Sequence, residues 1–295
     1  MQQQNSVCDF STSDSWVILS PIELSIKRKI EAVGTPLKDW DINIYRGVLT
    51  GYNEAFIIDT AKREEILANC NTEDERKRTA ELIRPILRGR DIKRYGYVDN
   101  GLYLINTHNG VKGKIPRIDI NDYPAVKAHL DQYWDKISTR ADKGDTPYNL
   151  RNCAYLEDFN KPKIVWGEIS DRSKFAYESG GKFIPEATTF LMVGSHLPYL
   201  FCALNSPLSE WFFSKVGTTT GVGTVRWKKY TILQLLLPSV SEKQQEKFSD
   251  FVKQYIEGSI PINKFAKRVN EEIYHLVGLS ESEVNYVENF YPPLN

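Results

Sequence analysis

Hydrophobic and polar residues recur along this chain with a helical period in some segments and a strand period in others. A helical period runs over Ile22–Val33 and stops at Gly34, which predicts a helix closed by a glycine at its C′ position. A period of two over Asp41–Tyr45 predicts a strand, and Ala55–Ile58 has the composition of a second. The segment 46–53 between them contains two glycines and predicts a loop.

The middle of the chain mixes predicted helices and strands. Thr72 and Glu75 have the spacing of a capping box, so we expect a helix from there to about Ile83, ahead of Pro85. Gly180-Gly181 predicts the turn of a hairpin. The remaining predictions are helices over 121–137 and 198–216, the latter interrupted near 205–207, the hairpin strands 175–177 and 183–184, and strands at 102–105, 163–169, 188–193 and 230–237.

The composition changes after Pro238, where a helical tail begins. Ser241 and Gln244 form a second capping box, Ile260-Pro261 breaks the chain, a second helix is expected over Ile262–Leu276, and Ser280 with Glu283 caps a third. Helices and strands are intermixed without a regular βαβ rhythm. We therefore expect an α+β fold, with a mixed sheet-rich body over residues 1–240 and a helical tail over 241–295.

Net charge is zero, which by itself argues against a nucleic-acid binder, but the charges are unevenly distributed. No acidic residue occurs between Trp211 and Ser241, and the segment from Arg84 to Arg94 has five basic residues against one acid. The tail after Ser241 has nine acids and six bases, so the body is basic by difference. Because local patches decide where a phosphate backbone docks, DNA binding stays open.

Nothing in the sequence indicates secretion or membrane insertion. No apolar run approaches the ~18 residues of a membrane helix, and the first residues have neither a basic nor an apolar region of a signal peptide. The four cysteines are scattered without a CxxC pair, which is typical of thiols in a reducing compartment. We expect a cytoplasmic protein.

Catalytic motifs are missing. The sequence has no G-x-S-x-G elbow, P-loop, HExxH or CxxC, and the four histidines are isolated. Gly221-Val-Gly223 lacks the third glycine of a nucleotide loop, and Asp91-Ile-Lys93 lacks the second carboxylate of a nuclease site, so a charged loop is the better interpretation. Tyr291-Pro-Pro-Leu294 is read as a chain end.

Three loops contain the residue types that contact duplex DNA, namely cations for phosphates and shaped polar groups for base edges. For each loop a structural alternative stays open: the segment around 88–94 could be a solvated charged turn, the segment around 217–229 a flexible loop before a strand, and the segment around 50–53 a turn that belongs to the scaffold. Trp166, Trp211, Trp227 and Phe212 are predicted to lie in the core. The candidates are Arg88, Arg90, Lys93 and Arg94 in the first loop, Thr218, Thr219, Thr220, Arg226, Lys228 and Lys229 in the second, and Thr50, Tyr52 and Asn53 in the third, with Lys112, Lys114, Arg117, Arg172 and Lys174 ranked below them.

Several segments, taken together and in this order, resemble the carboxy-terminal specificity domain of TaqI-like adenine-specific DNA methyltransferases and type IIG restriction enzymes. They are GVLTGYNEAFII (47–58), PILRGRDIKRY (85–95), PKIVWGE (162–168) and TTTGVGTVRWKK (218–229), which leads into LLLP (235–238). The tail segments QQEKF (244–248) and YHLVGL (274–279) also resemble the way such enzymes end. The resemblance extends from about Trp16 to Tyr291.

The resemblance implies sequence-specific recognition of duplex DNA by residues 1–240, with the tail packing on the body or on a missing catalytic domain. In the family an amino-terminal Rossmann-like domain binds S-adenosylmethionine and flips the adenine, and this sequence lacks its motifs. We therefore expect neither catalysis nor a cofactor or metal in this chain. S-adenosylmethionine, and Mg²⁺ for a nuclease, are expected in methyltransferase or nuclease domains of a parent protein or in a separate subunit.

Two other functions stay open. The chain could be a specificity subunit that acts mainly in assembly, with its tail helices docking a separate methyltransferase. It could also be a complete enzyme with an unrecognised site, which the lack of any convergent carboxylate, histidine or cysteine cluster disfavours.

Overall fold

Helices and strands alternate along the part of the chain that the structure, a computed structural model, describes: residues 19–216 and 225–290. The helices are α1 (Pro21–Val33), α2 (Asn53–Phe56), α3 (Thr60–Ala68), α4 (Glu73–Leu82), α5 (Pro124–Asp131), α6 (Trp134–Ile137), α7 (Leu197–Asn205), α8 (Pro207–Val216), α9 (Lys229–Ile232), α10 (Glu242–Ile256), α11 (Ile262–Val277) and α12 (Glu281–Phe290). The strands are β1 (Gly34–Pro36), β2 (Ile42–Arg46), β3 (Ile57–Asp59), β4 (Ile83–Leu87), β5 (Ile92–Lys93), β6 (Gly96–Tyr97), β7 (Leu102–Ile105), β8 (Lys163–Gly167), β9 (Ile169–Ser170), β10 (Phe175–Glu178), β11 (Ile184–Pro185), β12 (Thr189–Gly194), β13 (Val225–Arg226) and β14 (Leu236–Pro238). The mixed content confirms the expected α+β class.

The chain divides into two compact units. One unit combines the described residues up to 42 with residues 169–173 and the described residues from 195 onward, and the other contains 43–168 and 174–194. We call the first the helical unit and the second the sheet unit. The functional division at residue 240 into a recognition domain and a tail stays a prediction.

The sheet unit contains two four-stranded sheets with the orders β10-β8-β12-β2 and β11-β4-β7-β3. Every residue of β8 is buried, as its apolar run predicts for a central strand. Side chains from both sheets, among them Val165, Leu191, Ile86 and Leu104, belong to one hydrophobic core. This core gives the loops of the unit a rigid base.

The helical unit is built around α7, in which every residue except Pro198 is buried. The Tyr199 hydroxyl donates to the Pro238 carbonyl at 2.6 Å, which joins α7 to β14. Lys29 pairs with Glu283 at 2.6 Å, and Lys215 pairs with Glu23 at 2.6 Å. These ion pairs connect α1 to α12 and to α8.

Local interactions define both ends of α1. Ser20 accepts from the Glu23 amide, and Glu23 accepts from the Ser20 amide at 2.8 Å, so a capping box begins α1. The helix stops before Gly34 as predicted, but Gly34 is extended (φ −84°) and is not the left-handed C′ glycine that we expected. A Cβ at Gly34 would lie 2.6 Å from the Ile30 carbonyl oxygen, so close packing explains the glycine.

The predicted hairpin at Gly180-Gly181 is wrong. Strand β10 pairs with β8, whereas β11 pairs in parallel with β4 in the other sheet. Gly181 has φ +63°, and a Cβ there would lie 2.0 Å from the Asn160 carbonyl oxygen. The glycine therefore permits a close approach of two segments distant in sequence and does not form a hairpin turn.

Three further expectations need correction. The expected strand at 55–58 begins only at Ile57, because residues 53–56 form the short helix α2, whose turn is closed by the Ile57 amide donating to the Asn53 carbonyl. The helix over 121–137 is two helices, α5 and α6. The strand over 230–237 is helix α9 followed by β14, and Tyr230 at its start is 57% exposed.

Among residues 19–216 and 225–290, no helix combines the length and the apolar character that crossing a bilayer requires.

Candidate nucleic-acid interface

The basic segment of the sheet unit begins with a closed turn after β4. The Asp91 carboxylate accepts from the Arg88 amide at 2.9 Å, from Arg88 Nε at 3.0 Å and from Asn100 Nδ2 at 2.8 Å. Burial raises the pKa of Asp91, but the Arg88 guanidinium and amide outweigh it and hold the pKa below its ordinary value. Arg88 thus closes the turn, and Asp91 is occupied by these contacts.

Beyond the turn, β5 pairs with β6 and Tyr95 between them has φ +64°. Arg90 is exposed and has no hydrogen bond or ion pair from its side chain within the described residues. Lys93 is exposed, and among the described residues its ammonium donates only to the Arg90 carbonyl at 3.4 Å. The Arg94 guanidinium lies over the Tyr95 ring at 5.6 Å. Arg90 and Lys93 are therefore displayed to solvent on a turn that Arg88 and Asp91 fix.

The loop at 47–53 is buried at Gly47 and Thr50 and exposed at Gly51 and Asn53. Thr50 is buried and donates to Asn53 Oδ1 at 2.5 Å, and the Tyr52 hydroxyl donates to Glu54. A Cβ at Gly47 would lie 2.2 Å from the Glu186 carbonyl oxygen, so the loop backbone is packed tightly. These contacts favour the scaffold alternative for this loop.

Arg140, which the sequence patterns did not single out, holds that loop. It is 7% exposed, donates to the carbonyls of Asp142 at 3.0 Å and Asn149 at 2.6 Å, and also to the carbonyl of Thr50. Its guanidinium lies 4.4 Å from the centre of the Phe56 ring. Burial lowers the pKa of Arg140 to about 10. No periodicity or motif marks such a residue, because its partners are carbonyls of other segments.

In the helical unit, the basic segment 226–229 follows a two-stranded ribbon. Arg226 in β13 lies opposite Ile169 in β9, and both side chains are exposed. Trp227 is buried and stacks on Phe213 with ring centroids 3.9 Å apart, which anchors the segment. The Lys228 ammonium lies 5.9 Å from the Tyr230 ring centre, and Lys229 is exposed. The expected burial of Trp166, Trp211, Trp227 and Phe212 is confirmed.

The candidates Thr218, Thr219 and Thr220 lie outside the described residues, as does Gly221-Val-Gly223. Among the lower-ranked candidates, Arg172 forms a two-pronged pair with Glu210 at 2.7 and 3.0 Å, and Glu210 is buried. Lys112 and Lys114 are exposed, and Arg117 pairs with Asp145 at 3.5 Å.

Solved structures share this fold. The chain resembles the type IIL restriction–modification enzyme MmeI, solved in complex with DNA, with a TM-score of 0.57 and 13% identity over 88% of this chain and 34% of that one. It also resembles the type IIG restriction endonuclease BpuSI, with a TM-score of 0.52 and 12% identity over 90% of this chain and 32% of that one. At these identities the likeness establishes the fold.

The sequence itself matches the family of TaqI-like C-terminal specificity domains over residues 84–237, more than half of its length, and the chain belongs to this family. A curated relative is the type II methyltransferase M.PaeR7I of Pseudomonas aeruginosa, 21% identical over 276 residues, which are 92% of this chain and 44% of the relative. The chain therefore spans less than half the length of the relatives that it matches. The resemblance drawn from the sequence is confirmed.

Proposed function

We propose that this chain recognises a short sequence in duplex DNA as the specificity module of an adenine-specific DNA methyltransferase or type IIG restriction enzyme. The observation that carries the proposal is the family match over residues 84–237, which includes the exposed cations Arg90, Lys93 and Arg226. MmeI, which shares the fold, was solved in complex with DNA.

The exposed cations have distinct chemical uses in such a module. Arg90 can donate two parallel hydrogen bonds to the O6 and N7 atoms of guanine, which is the commonest specific contact in the major groove. Lys93 and the half-buried Lys228, as compact charges on flexible stems, suit phosphates. The pairing of Arg88 with the buried Asp91 fixes the backbone from which Arg90 projects, while the Arg90 side chain itself makes no contact that restrains it within the described residues.

Methyl transfer belongs, in this proposal, to domains outside this chain. S-adenosylmethionine, and Mg²⁺ where a nuclease is present, would bind in a methyltransferase or nuclease domain of the parent protein or in a separate subunit. The recognition module would hold the target site in register with that domain.

Selection from a pool of random duplexes tests the proposal. The purified chain is incubated with the pool at low and at near-physiological salt, and the bound fraction is sequenced. Enrichment of one short motif, with specific binding at least ~4 kcal/mol tighter than non-specific binding, is the expected result. Absence of binding even at low salt would refute the proposal.

A role in assembly is a second candidate function. Exposed apolar residues at the connection between α10 and α11 favour it. Ile256 at the end of α10 is 50% exposed, and Ile262 at the start of α11 is 48% exposed. The double variant I256S/I262S would weaken co-purification with a methyltransferase subunit if this surface docks one, while DNA selection would be unchanged.

A further inference from the structure

A small hairpin in the sheet unit carries two lysines at its tip. The Val111 amide donates to the Ile115 carbonyl at 2.8 Å, and the Ile115 amide donates back at 2.9 Å, so that Lys112, Gly113 and Lys114 form the turn. Gly113 has φ +76°, which glycine adopts without strain. We call residues 111–115 the lysine hairpin.

The base of the lysine hairpin is held by hydrogen bonds to a distant segment. Asn109 accepts from the Asp145 amide at 2.9 Å and donates to Asn152 Oδ1 at 2.5 Å. Asn149 donates to the Ile118 carbonyl at 2.9 Å on the other side of the hairpin. Gly110, with φ +72°, allows the close return of the chain, because a Cβ there would lie 2.4 Å from the Ile115 carbonyl oxygen. The tip therefore stands on a fixed stem.

The charges at the tip differ from those around it. Arg117 pairs with Asp145 at 3.5 Å, and Arg151 pairs with Asp142 at 3.1 Å. Lys112 and Lys114 are exposed, and in the described part of the chain neither ammonium has a hydrogen bond or an ion pair. They are two positive charges without an ion-pair partner among the described residues, separated by Gly113, on a turn of defined geometry.

A cavity of about 620 Å³ lies beside the hairpin, lined by both tip lysines and Arg117 together with Asn109, Asn152 and Asp145. The Asp145 carboxylate in the lining disfavours a small, highly charged anion in the cavity. Because both tip lysines are exposed, the hairpin suits an extended polyanion that passes over it.

We propose that the lysine hairpin is a DNA-contact element in which Lys112 and Lys114 each neutralise one backbone phosphate of the bound duplex. The inference rests on the proposed function, because the hairpin lies within the family match. It deepens that function by adding a contact outside the basic turn at 88–94. Lysine ammonium groups act as point charges, so the contacts add affinity equally for all sequences and do not read bases.

The salt dependence of binding measures these contacts directly. Each phosphate neutralised contributes about −0.9 to the slope of log K against log salt, so the double variant K112A/K114A should have a slope shallower by ~1.8. Its binding to the selected motif and to a scrambled duplex should weaken by the same factor, and the selected motif should not change. The charge-conserving variant K112R/K114R should keep the wild-type slope.

The matched control is K243A/K264A, which removes two exposed lysines from α10 and α11 and should leave the slope unchanged. Thermal unfolding of every variant confirms that the fold is retained. If wild type binds DNA and K112A/K114A shows the same slope of log K against log salt, the lysine hairpin does not contact phosphate, although the proposed function stands. If the variant selects a different motif, the lysines contact bases and the phosphate assignment is wrong. If wild type itself binds no DNA, the proposed function fails and the hairpin inference fails with it.

Discussion

The buried ion pair between Lys163 in β8 and Glu178 in β10 gives the sharpest stability prediction. The two residues lie directly opposite each other in the antiparallel register, so their side chains share one face of the sheet. Lys163 is fully buried, Glu178 is 2% exposed, and Lys163 Nζ lies 2.5 Å from Glu178 Oε2. The carboxylate also accepts from the amides of Gly180 at 3.0 Å and Lys182 at 3.1 Å.

Removing one partner should cost far more than removing both. The variant K163M leaves a buried carboxylate without its counter-charge, and E178Q leaves a buried ammonium that keeps the Lys161 carbonyl at 3.1 Å but no counter-charge, so each should lose about 3–5 kcal/mol. In K163M/E178Q both charges are gone, and the glutamine oxygen still accepts from the two amides. The double variant should therefore fall within about 1–2 kcal/mol of wild type.

Urea unfolding, followed by tryptophan fluorescence, to which the buried Trp166 in the same strand contributes, measures the difference. With a slope of about 3 kcal/mol per molar urea, each single variant should unfold at least about 1 M earlier than wild type. Burial lowers the pKa of Lys163 and Glu178 opposes this, so in E178Q the pKa should fall further. The loss in E178Q should then be larger at about pH 6 than at about pH 9.

A result in which the two single losses simply add in the double variant would refute the reasoning, because independent contributions mean that the pair is not coupled. Single losses below about 1 kcal/mol would also refute it, since they would mean that water reaches the pair and screens its charges.

Two further predictions concern charges with different surroundings. R88A should destabilise the protein by about 2–4 kcal/mol, because it leaves the buried Asp91 carboxylate without its guanidinium. R90A should change stability by less than about 0.5 kcal/mol but weaken DNA binding. Equal melting temperatures for the two variants would contradict this separation of roles. Burial opposes ionisation of Glu283, but Lys29 and neighbouring donors outweigh it and hold the pKa at about 2 against an ordinary 4.5. Ionised Glu283 thus stabilises the fold by up to about 3 kcal/mol above about pH 4.5, and this stabilisation is lost as the pH falls towards 2. The variant E283Q should therefore flatten the acid side of the curve of unfolding free energy against pH. An unchanged curve would exclude this contribution.

The proposed interface shows how far residue type alone can be taken. The sequence identified the basic segments and ranked Arg88 beside Arg90, because both are arginines in one short stretch. The structure separates them, since Arg88 is half-buried against Asp91 and Arg90 is exposed. Likewise Arg172 and Lys112 were equal candidates, and only the fold shows that Arg172 pairs with Glu210.

The sequence by itself determined the features that depend on residues close together along the chain. The capping box at Ser241, the tail helices and the family resemblance all depend on residues a few positions apart, and such short-range interactions are encoded in local spacing. For the same reason the α+β class followed from the order of local periodicities.

Only the tertiary structure decided which distant groups meet. The partner of β11 is β4 and not β10, Arg140 donates to the carbonyl of Thr50, and Arg172 pairs with a glutamate 38 residues away. Pairings of this kind depend on where the whole core packs, because burial forces each polar group to find a partner from whichever segment lies beside it. The exposed cations that are left over after this pairing, Arg90, Lys112 and Lys114 among them, are therefore a property of the fold and not of the sequence pattern.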